Sequence, residues 1–474
     1  MRRDTTNQAN GFTAILLIAI LINIAFYGLP DTIFGVPIKK VDLLSDIRIT
    51  AQKENDPELL AMIQEDVNDN VENTSQPATS EITSESESQS KTPPARIFVE
   101  DINNKNIEDF TTERNGLQRF FTALDNIDSL GRPVRIAFVG DSFIEGDILV
   151  ADFRAKMQEQ FGGRGVGFIP VTSVTAQYRT TVKQSANGWK TYSIIKDRTH
   201  KYVISGMLFE PSSNDASIQF QTVDLYPGLE EVSSVKFIYS KNESTEMILK
   251  WEGENYSYKL PKTDAVRQLE MAGQFTKGTL QFKNSKGLKA LGIALEDNRG
   301  VVVDNLALRG NSGLIMSDLD VNSCHELKKI RPYDLIILQF GLNVANDSVS
   351  EYSWYRNRMV TVIEHIRNCF PSSDILVLGV SDRSHNNGGT YTTMPAVLAL
   401  LRAQRQMAIS AKVTFWSIFA AMGGQNSMVK YVNNNWASKD HTHLSFRGGR
   451  EIAHALYDAL INEKGFYDSE KLVE

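Results

Sequence analysis

The sequence predicts an α/β protein whose parallel sheet is interrupted by an inserted all-β unit and preceded by a membrane helix and a disordered linker. Three observations favour this fold class: an uncharged apolar stretch near the N-terminus, short apolar runs that alternate with amphipathic helices, and period-2 runs between two such α/β parts. A chain of 474 residues is also too long for one ordinary core. The expected boundaries are 1–30, 31–97, 98–167, 168–301 and 302–474.

The N-terminal segment is expected to be an uncleaved signal anchor. Residues 11–29 contain no charged residue, and at about 1.5 Å per residue they can cross a hydrocarbon core of about 30 Å. No clear A-x-A cleavage site follows them. Arg2 and Arg3 favour a cytoplasmic N-terminus. Lys39 and Lys40, which follow the apolar stretch on its other side, favour the opposite orientation. A buried core helix is the alternative interpretation.

The next segment is expected to be a disordered tether. Residues 66–95 are rich in Ser, Thr, Glu and Pro and contain no aromatic residue, so they cannot bury enough apolar surface to offset their ordering entropy. Ten acidic and three basic residues between Lys53 and Arg96 account for the whole net charge of −7. The rest of the chain is neutral in sum, which argues against a nucleic-acid partner.

Strands and helices alternate in two separate parts of the chain. The first part predicts a helix at 117–127, a buried strand at 135–140 and a helix at 147–163 that ends at a glycine pair. The second part alternates in the same way and predicts a parallel sheet covered on both faces. Its predicted strands are 300–308, 333–341, 374–381 and 413–419, and its predicted helices are 352–370, 394–409 and 448–461.

Between these parts, residues 168–301 are typical of an all-β unit. Short runs of alternating apolar and polar residues are separated by turn residues about every ten positions, which favours a sandwich. Trp189, Tyr239 and Trp251 could bind glycan through their ring faces, but filling the sandwich core is the more common use of such rings.

Polar loops stand where the strands of the predicted sheet end. In an open parallel sheet, ligands lie outside the carboxyl ends of the strands. Such loops follow three of the predicted strands, and a fourth precedes the last helix. They read GDS at 140–142, RGNSG at 309–313, GLN at 341–343 and DHTH at 440–443.

These loops contain the groups that a serine esterase needs. Ser142 is the candidate nucleophile, His443 the candidate general base and Asp440 the carboxylate that would orient it. Asp440 lies three residues before His443, so one turn of the loop can bring its carboxylate to the Nδ1–H group. The candidate oxyanion donors are the N–H groups of Ser142 and Gly310 and the side-chain amide of Asn343.

Each candidate has a simpler alternative. Ser142 could only cap the following helix, and Asn343 could only cap the turn after its strand. His441 and His443 beside Asp440 could hold zinc, but no third His or Cys with ligand spacing lies nearby, so we expect neither a metal nor another cofactor.

The two cysteines, Cys324 and Cys369, do not stand in a metal-ligand spacing. We expect them to be small buried side chains. A disulfide between them is the alternative in an oxidising compartment.

Together, the four loops resemble the sequence blocks of the SGNH (GDSL-type) hydrolase family. GDS, RGNSG, GLN and DHTH stand where that family has its Gly-Asp-Ser, glycine, Gly-x-Asn and Asp-x-x-His blocks. The resemblance implies a flavodoxin-like three-layer α/β/α fold. It also implies a triad of Ser142, Asp440 and His443, with Gly310 and Asn343 in the oxyanion hole.

Two departures from the family pattern affect these assignments. The first block reads GDSF rather than GDSL, which is a minor change. The third block continues as GLNVAND where many members have GxND. Asn343 is preferred as the oxyanion donor for its distance from the strand, and Asn346 is the alternative.

The layout is similar to that of bacterial peptidoglycan O-acetylesterases, which also combine an N-terminal anchor with a β unit after the first block. The likeness extends over roughly residues 135–460. It implies an esterase of the bacterial inner membrane that acts, in the periplasm or outside the cell, on short acyl esters of an acylated glycan. The alternatives are an O-acetyltransferase with the same triad and a non-catalytic glycan-binding envelope protein.

Overall fold

The structure, a computed structural model, describes residues 101–471 and a short strand pair near the N-terminus. In that pair, β1 (Thr32–Ile33) lies antiparallel to β2 (Val36–Pro37). The membrane helix expected at 11–29 and the acidic segment at 66–95 lie outside the described residues. Among the helices that are described, none combines the length and the apolar character needed to span a bilayer.

The α/β fold begins with a short strand, a helix and a fully buried strand that leads into a 3-10 turn, Ser142–Asp147. The helix after this turn ends at Gly162, whose φ of +72° suits a glycine C-cap, as the sequence predicts. The elements are β3 (Glu108–Asp109), α1 (Gln118–Asp125), β4 (Val134–Gly140) and α2 (Val150–Phe161).

The next eleven strands form two antiparallel sheets, one in the order β13-β10-β15-β8-β7, with β5 also paired to β15, and one in the order β12-β11-β14-β9-β6. Apolar side chains from both sheets form one buried cluster. Tyr239 belongs to this cluster, and Trp189 and Trp251 pack against it. These three rings therefore contribute to the core between the sheets. The strands are β5 (Gly167–Ile169), β6 (Lys183–Asn187), β7 (Trp189–Ser193), β8 (Met207–Pro211), β9 (Ser217–Gln221), β10 (Val232–Lys241), β11 (Glu246–Trp251), β12 (Glu254–Lys259), β13 (Arg267–Phe275), β14 (Lys277–Lys283) and β15 (Lys289–Glu296).

The α/β pattern then resumes and continues to the end of the described chain. Its elements are β16 (Val301–Ala307), α3 (Val321–Ile330), β17 (Leu335–Gln339), α4 (Ser353–Cys369), β18 (Asp374–Gly379), β19 (Ser384–Asn387), β20 (Thr390–Thr393), α5 (Pro395–Ala411), β21 (Thr414–Ser417), α6 (Ile418–Met422), α7 (Ser427–Asn433) and α8 (Phe446–Lys471).

The central sheet has the order β16-β4-β17-β18-β21-β3. Neighbouring strands from β16 to β21 run parallel, so the predicted parallel sheet is confirmed. The helices pack in two groups, α2 against α8 and α4 against α5, as expected when helices cover both faces of a sheet. The carboxyl ends of β4, β16 and β17 are therefore neighbours.

Several elements differ from the sequence-based expectation. The strand expected at 413–419 ends at Ser417, whose hydroxyl accepts a hydrogen bond of 3.1 Å from the N–H of Ala420 and so starts α6. The edge strand β3 pairs antiparallel to β21, and neither it, α3 nor the β19–β20 hairpin was predicted. Two to four residues are too few to show a periodic pattern, which explains the three missed strands.

Cys324 and Cys369 are both buried and both free. They therefore behave as the small buried side chains that the sequence predicts rather than as a disulfide.

Candidate active site

The chain turns sharply where β4 ends, and this turn presents Ser142. Gly140 is required there, because a Cβ would lie 2.7 Å from Oε1 of Gln339. The Asp141 carboxylate accepts a 2.9 Å hydrogen bond from the Phe143 N–H and so caps the 3-10 turn. The local structure therefore does not use Ser142 as a cap, and its hydroxyl has no hydrogen-bonding partner among the described residues.

His443 and Asp440 form a close pair. The ring nitrogen Nδ1 of His443 lies 2.6 Å from Oδ2 of Asp440, while Oδ1 accepts bonds from the N–H groups of Thr442 (2.8 Å) and His443 (3.0 Å). Burial raises the pKa of Asp440, but the hydrogen bond and charge of His443 lower it further, and the net shift is downward. An ionised carboxylate at Nδ1 places the proton there and leaves Nε2 to accept one.

The charge of His443 acts on two acidic residues close to Ser142 in the chain. Burial raises the pKa of Asp141 to about 6, and the charge of His443 is among the interactions that oppose this rise. The same charge opposes the rise that burial causes in the pKa of Glu145. Asp141 precedes Ser142 and Glu145 belongs to the same 3-10 turn, so the charge of His443 reaches the turn that holds Ser142. Within residues 101–471, no direct hydrogen bond joins Ser142 Oγ to His443.

The second loop is joined to the first by a backbone hydrogen bond and an ion pair. The N–H of Leu308 donates to the carbonyl oxygen of Gly140 over 2.8 Å. Arg309 Nη1 lies 2.7 Å from Oε2 of Glu145, and both side chains are largely buried. Gly310, next in sequence, is exposed and has a φ of +72°, which favours glycine. The ion pair therefore holds Gly310 close to the turn that carries Ser142.

Asn343 joins the third loop to the other two. Its Nδ2 donates to Oδ2 of Asp141 over 2.9 Å and to the carbonyl oxygen of Asn311 over 3.0 Å. The alternative residue, Asn346, uses its side-chain oxygen to accept bonds from Ser348 in its own loop. The structure therefore brings Asn343, and not Asn346, to the nucleophile turn.

The three candidate oxyanion donors are in two different states. The backbone N–H groups of Ser142 and Gly310 have no acceptor among the described residues, so both can donate to a ligand. Both hydrogens of the Asn343 amide are already engaged, and a ligand oxygen would have to replace one of these partners.

His441 packs against Tyr391 of the β19–β20 hairpin. Its ring is buried and stacks on Tyr391, with centroids 3.7 Å apart and planes inclined by 9°. Burial lowers the pKa of His441. In the part of the chain that the structure describes, no three His, Cys, Asp or Glu side chains are grouped to hold a metal ion.

Sequence reasoning missed two features of the site. One is the Arg309–Glu145 ion pair, for which the only signal was a charged residue in each of two loops that the motifs already singled out. The other is the contact of Tyr391 with His441, for which the sequence offers no signal because nothing local predicts the β19–β20 hairpin.

No protein-family model and no curated protein matches the sequence. Among solved structures, the chain is similar to a peptidoglycan O-acetylesterase, with 22% identity and a TM-score of 0.62 over 76% of this chain and 99% of that one. A family two carbohydrate esterase from Cellvibrio japonicus matches with 13% identity and a TM-score of 0.24, over 60% of this chain and 99% of that one. The first likeness supports the mixed α/β fold of the chain, and the second is too distant to add to it.

Proposed function

We propose that the chain is a membrane-anchored serine esterase that removes O-acetyl groups from cell-envelope carbohydrate, with peptidoglycan as its substrate. One observation carries the proposal: an ionised Asp440 bonds Nδ1 of His443, and the hydroxyl of Ser142 is unused by the local structure. The likeness to a peptidoglycan O-acetylesterase supports the choice of substrate.

The proposed reaction proceeds in two steps through an acetyl-enzyme. Ser142 Oγ attacks the acetyl carbonyl carbon and gives its proton to Nε2 of His443, while Asp440 stabilises the imidazolium that forms. The N–H groups of Ser142 and Gly310 donate to the oxyanion. The tetrahedral intermediate then collapses, the bond to the sugar oxygen breaks, and His443 returns the proton to that oxygen.

Water completes the second step by the same route. His443 takes a proton from the water, whose oxygen attacks the acetyl-serine carbonyl, and acetate leaves as Ser142 regains its hydrogen. If a sugar hydroxyl replaced the water, the same groups would perform acetyl transfer. The ratio of free acetate to acetylated acceptor, measured with an added sugar, therefore distinguishes a hydrolase from a transferase.

The proposed location follows from the N-terminal sequence. Residues 11–29 would cross the bacterial inner membrane once and residues 31–97 would tether the folded part in the periplasm or outside the cell. Cell fractionation of the full chain and of a chain lacking residues 1–30 tests this location. We expect only the full chain in the membrane fraction, and recovery of both chains in the soluble fraction would contradict the anchor.

The central test is ester hydrolysis by Ser142→Ala. We expect release of p-nitrophenol from p-nitrophenyl acetate and of acetate from O-acetylated peptidoglycan, with Ser142→Ala slower by about 10³-fold or more. Ser350→Ala, which changes an exposed serine in the loop after β17, is the matched control and should retain full activity. Equal rates for the two variants would rule out Ser142 as the nucleophile.

A further inference from the structure

The β19–β20 hairpin stands at the edge of the sheet where the candidate site lies. It follows β18 after four residues and turns back through Gly388 and Gly389, whose φ values of +60° and +94° match the left-handed positions of a tight two-residue turn. Four cross-strand pairs, from Ser384↔Thr393 to Asn387↔Thr390, fix its register. The hairpin is therefore an ordered projection after the carboxyl end of β18, on the edge of the sheet where the loops after β4, β16 and β17 begin.

Contacts on both sides hold the hairpin between two of these loops. The N–H of Ser384 donates to the carbonyl oxygen of His441 over 3.1 Å, which joins the hairpin to the loop of Asp440 and His443. On the other side, Nδ1 of His385 lies 3.0 Å from Oδ2 of Asp347, which belongs to the loop after β17. Because both neighbours belong to loops of the candidate site, the hairpin forms part of its wall.

Tyr391 presents an aromatic ring on this wall. One ring face covers His441, yet 40% of the residue remains exposed to solvent, an uncommon exposure for a large aromatic side chain. His441 is two residues from His443, so the ring packs on the loop that carries the candidate general base. This position contrasts with that of Tyr239, which is 1% exposed in the core of the β sheets.

An amide lies beside the ring. Asn386 is the direct cross-strand partner of Tyr391, and residues that pair in this way project from the same face of a hairpin. The Asn386 side-chain oxygen accepts a 2.8 Å bond from the Gly389 N–H, and its NH₂ group has no partner among the described residues. An exposed ring with a free amide donor beside it matches a sugar, which has an apolar face of C–H groups and a rim of hydroxyl groups.

We propose that Tyr391, supported from behind by His441 and flanked by Asn386, is the surface on which the sugar ring of the substrate stacks. The inference rests on the proposed function and names the part of the wall that recognises the carbohydrate. Tyr391 is a specificity-determining residue, because it binds the sugar and takes no part in proton transfer. An acetyl ester without a sugar does not use this surface.

The test compares Tyr391→Ala with Tyr391→Phe on two substrates. With O-acetylated peptidoglycan strands, we expect Tyr391→Ala to raise KM about tenfold, as loss of one aromatic contact predicts, and Tyr391→Phe to stay near the wild type. With p-nitrophenyl acetate, all variants should keep kcat/KM within about threefold, since the stacked ring is not part of the chemistry. Tyr256→Ala, which removes a 41%-exposed tyrosine from β12, is the matched control and should change neither substrate's kinetics.

A binding measurement separates this inference from the proposed esterase activity. Calorimetric titration of Ser142→Ala with unacetylated peptidoglycan strands should show binding. The double variant Ser142→Ala/Tyr391→Ala should bind the same strands with about tenfold lower affinity. If Tyr391→Ala lost equal activity on both esters, Tyr391 would instead support the loop that carries His443. Unchanged KM and unchanged affinity would remove its role in sugar binding. If the wild type hydrolyses no ester but Tyr391 still governs glycan binding, the proposed chemistry fails while the stacking surface stands.

Discussion

The environment of Asp440 explains how a short DHTH sequence can orient His443, the proposed general base. Two backbone N–H groups bind one carboxylate oxygen, so the other oxygen is directed at Nδ1 of His443. These bonds outweigh the effect of burial and lower the pKa of Asp440, so the carboxylate stays ionised at neutral pH. A single residue thus determines both the orientation and the tautomer of the base.

Replacing Asp440 with Asn should nearly abolish turnover without unfolding the protein. The amide can still accept the backbone bonds, but its NH₂ group next to Nδ1 favours the tautomer with the proton on Nε2, which cannot take a proton from Ser142. We expect kcat for p-nitrophenyl acetate to fall by about 10²–10⁴-fold. The measurement is steady-state kinetics together with thermal unfolding, and Asp215→Asn at an exposed position is the control. Unchanged kcat in Asp440→Asn would contradict this role.

At the level of elements, the 3-10 turn that carries Ser142 is anchored at its far end by Asp147. This residue is fully buried and has a φ of +69°, and its carboxylate binds side chains from three parts of the chain. Arg154 of α2 donates over 3.1 Å, Arg179 of the loop before β6 over 2.9 Å, and Asn305 of β16 over 2.6 Å. The β strands that follow α2 are thereby linked to the nucleophile turn.

Asp147→Asn should destabilise the fold strongly, because it leaves two buried guanidinium groups without their carboxylate. We expect a loss of about 3–5 kcal/mol in the free energy of unfolding, measured with denaturant at pH 7. Burial raises the pKa of Asp147, but Arg154 and Arg179 hold it well below its ordinary value of 3.8. The contribution of its charge is therefore complete above pH 3.8 and is lost as the pH falls below it.

The difference between Asp147→Asn and the wild type should accordingly shrink as the pH falls below that value. Asp215→Asn serves again as the exposed control and should shift the unfolding free energy by less than about 0.5 kcal/mol. A loss below about 1 kcal/mol in Asp147→Asn at pH 7 would show that the ion network contributes little.

Across the whole molecule, a buried ion network joins the antiparallel sheets to the parallel sheet. Glu296, at the end of β15, has no exposed surface and accepts hydrogen bonds from three cationic side chains. Arg135 of β4 lies at 2.8 Å, Lys236 of β10 at 2.9 Å and Arg331, just after α3, at 2.7 Å. Burial raises the pKa of Glu296, but these three charges hold it well below its ordinary range. The two sheet systems therefore share a charge cluster, in which Arg331 also pairs with Asp304 of β16.

Glu296→Gln should weaken both sheet systems together. Loss of the carboxylate leaves Arg135 and Lys236 without their buried carboxylate, whereas Arg331 keeps Asp304 as a partner. We expect the free energy of unfolding to fall by about 3–5 kcal/mol, with one cooperative transition in calorimetry. Glu254→Gln, at an exposed position of β12, is the matched control and should unfold like the wild type. Separate transitions for the two sheet systems, or an unchanged melting temperature, would contradict a shared network.

The parallel strands were predictable because their apolar runs are long and their flanking helices have clear amphipathic spacing. Three of the four loops were predictable at one edge of the sheet because the parallel strands before them end there, and the fourth, DHTH, precedes the last helix. The hairpin that carries Tyr391 was not predictable, since its strands of four residues show no periodicity. The ion networks around Asp147 and Glu296 were also not predictable from the sequence, because most of their partners are far apart in the chain.

By itself, the sequence determined the α/β class, the order of the four loops and the closeness of Asp440 to His443, because these depend on local periodicity and short spacings. Only the tertiary structure decided that Asp141 rather than Ser142 caps the nucleophile turn. It also decided that Asn343 rather than Asn346 reaches that turn, and that Tyr391 covers His441. The last two outcomes depend on which of several chemically suitable groups comes within hydrogen-bonding or stacking distance, and folding sets those distances between residues remote in the chain.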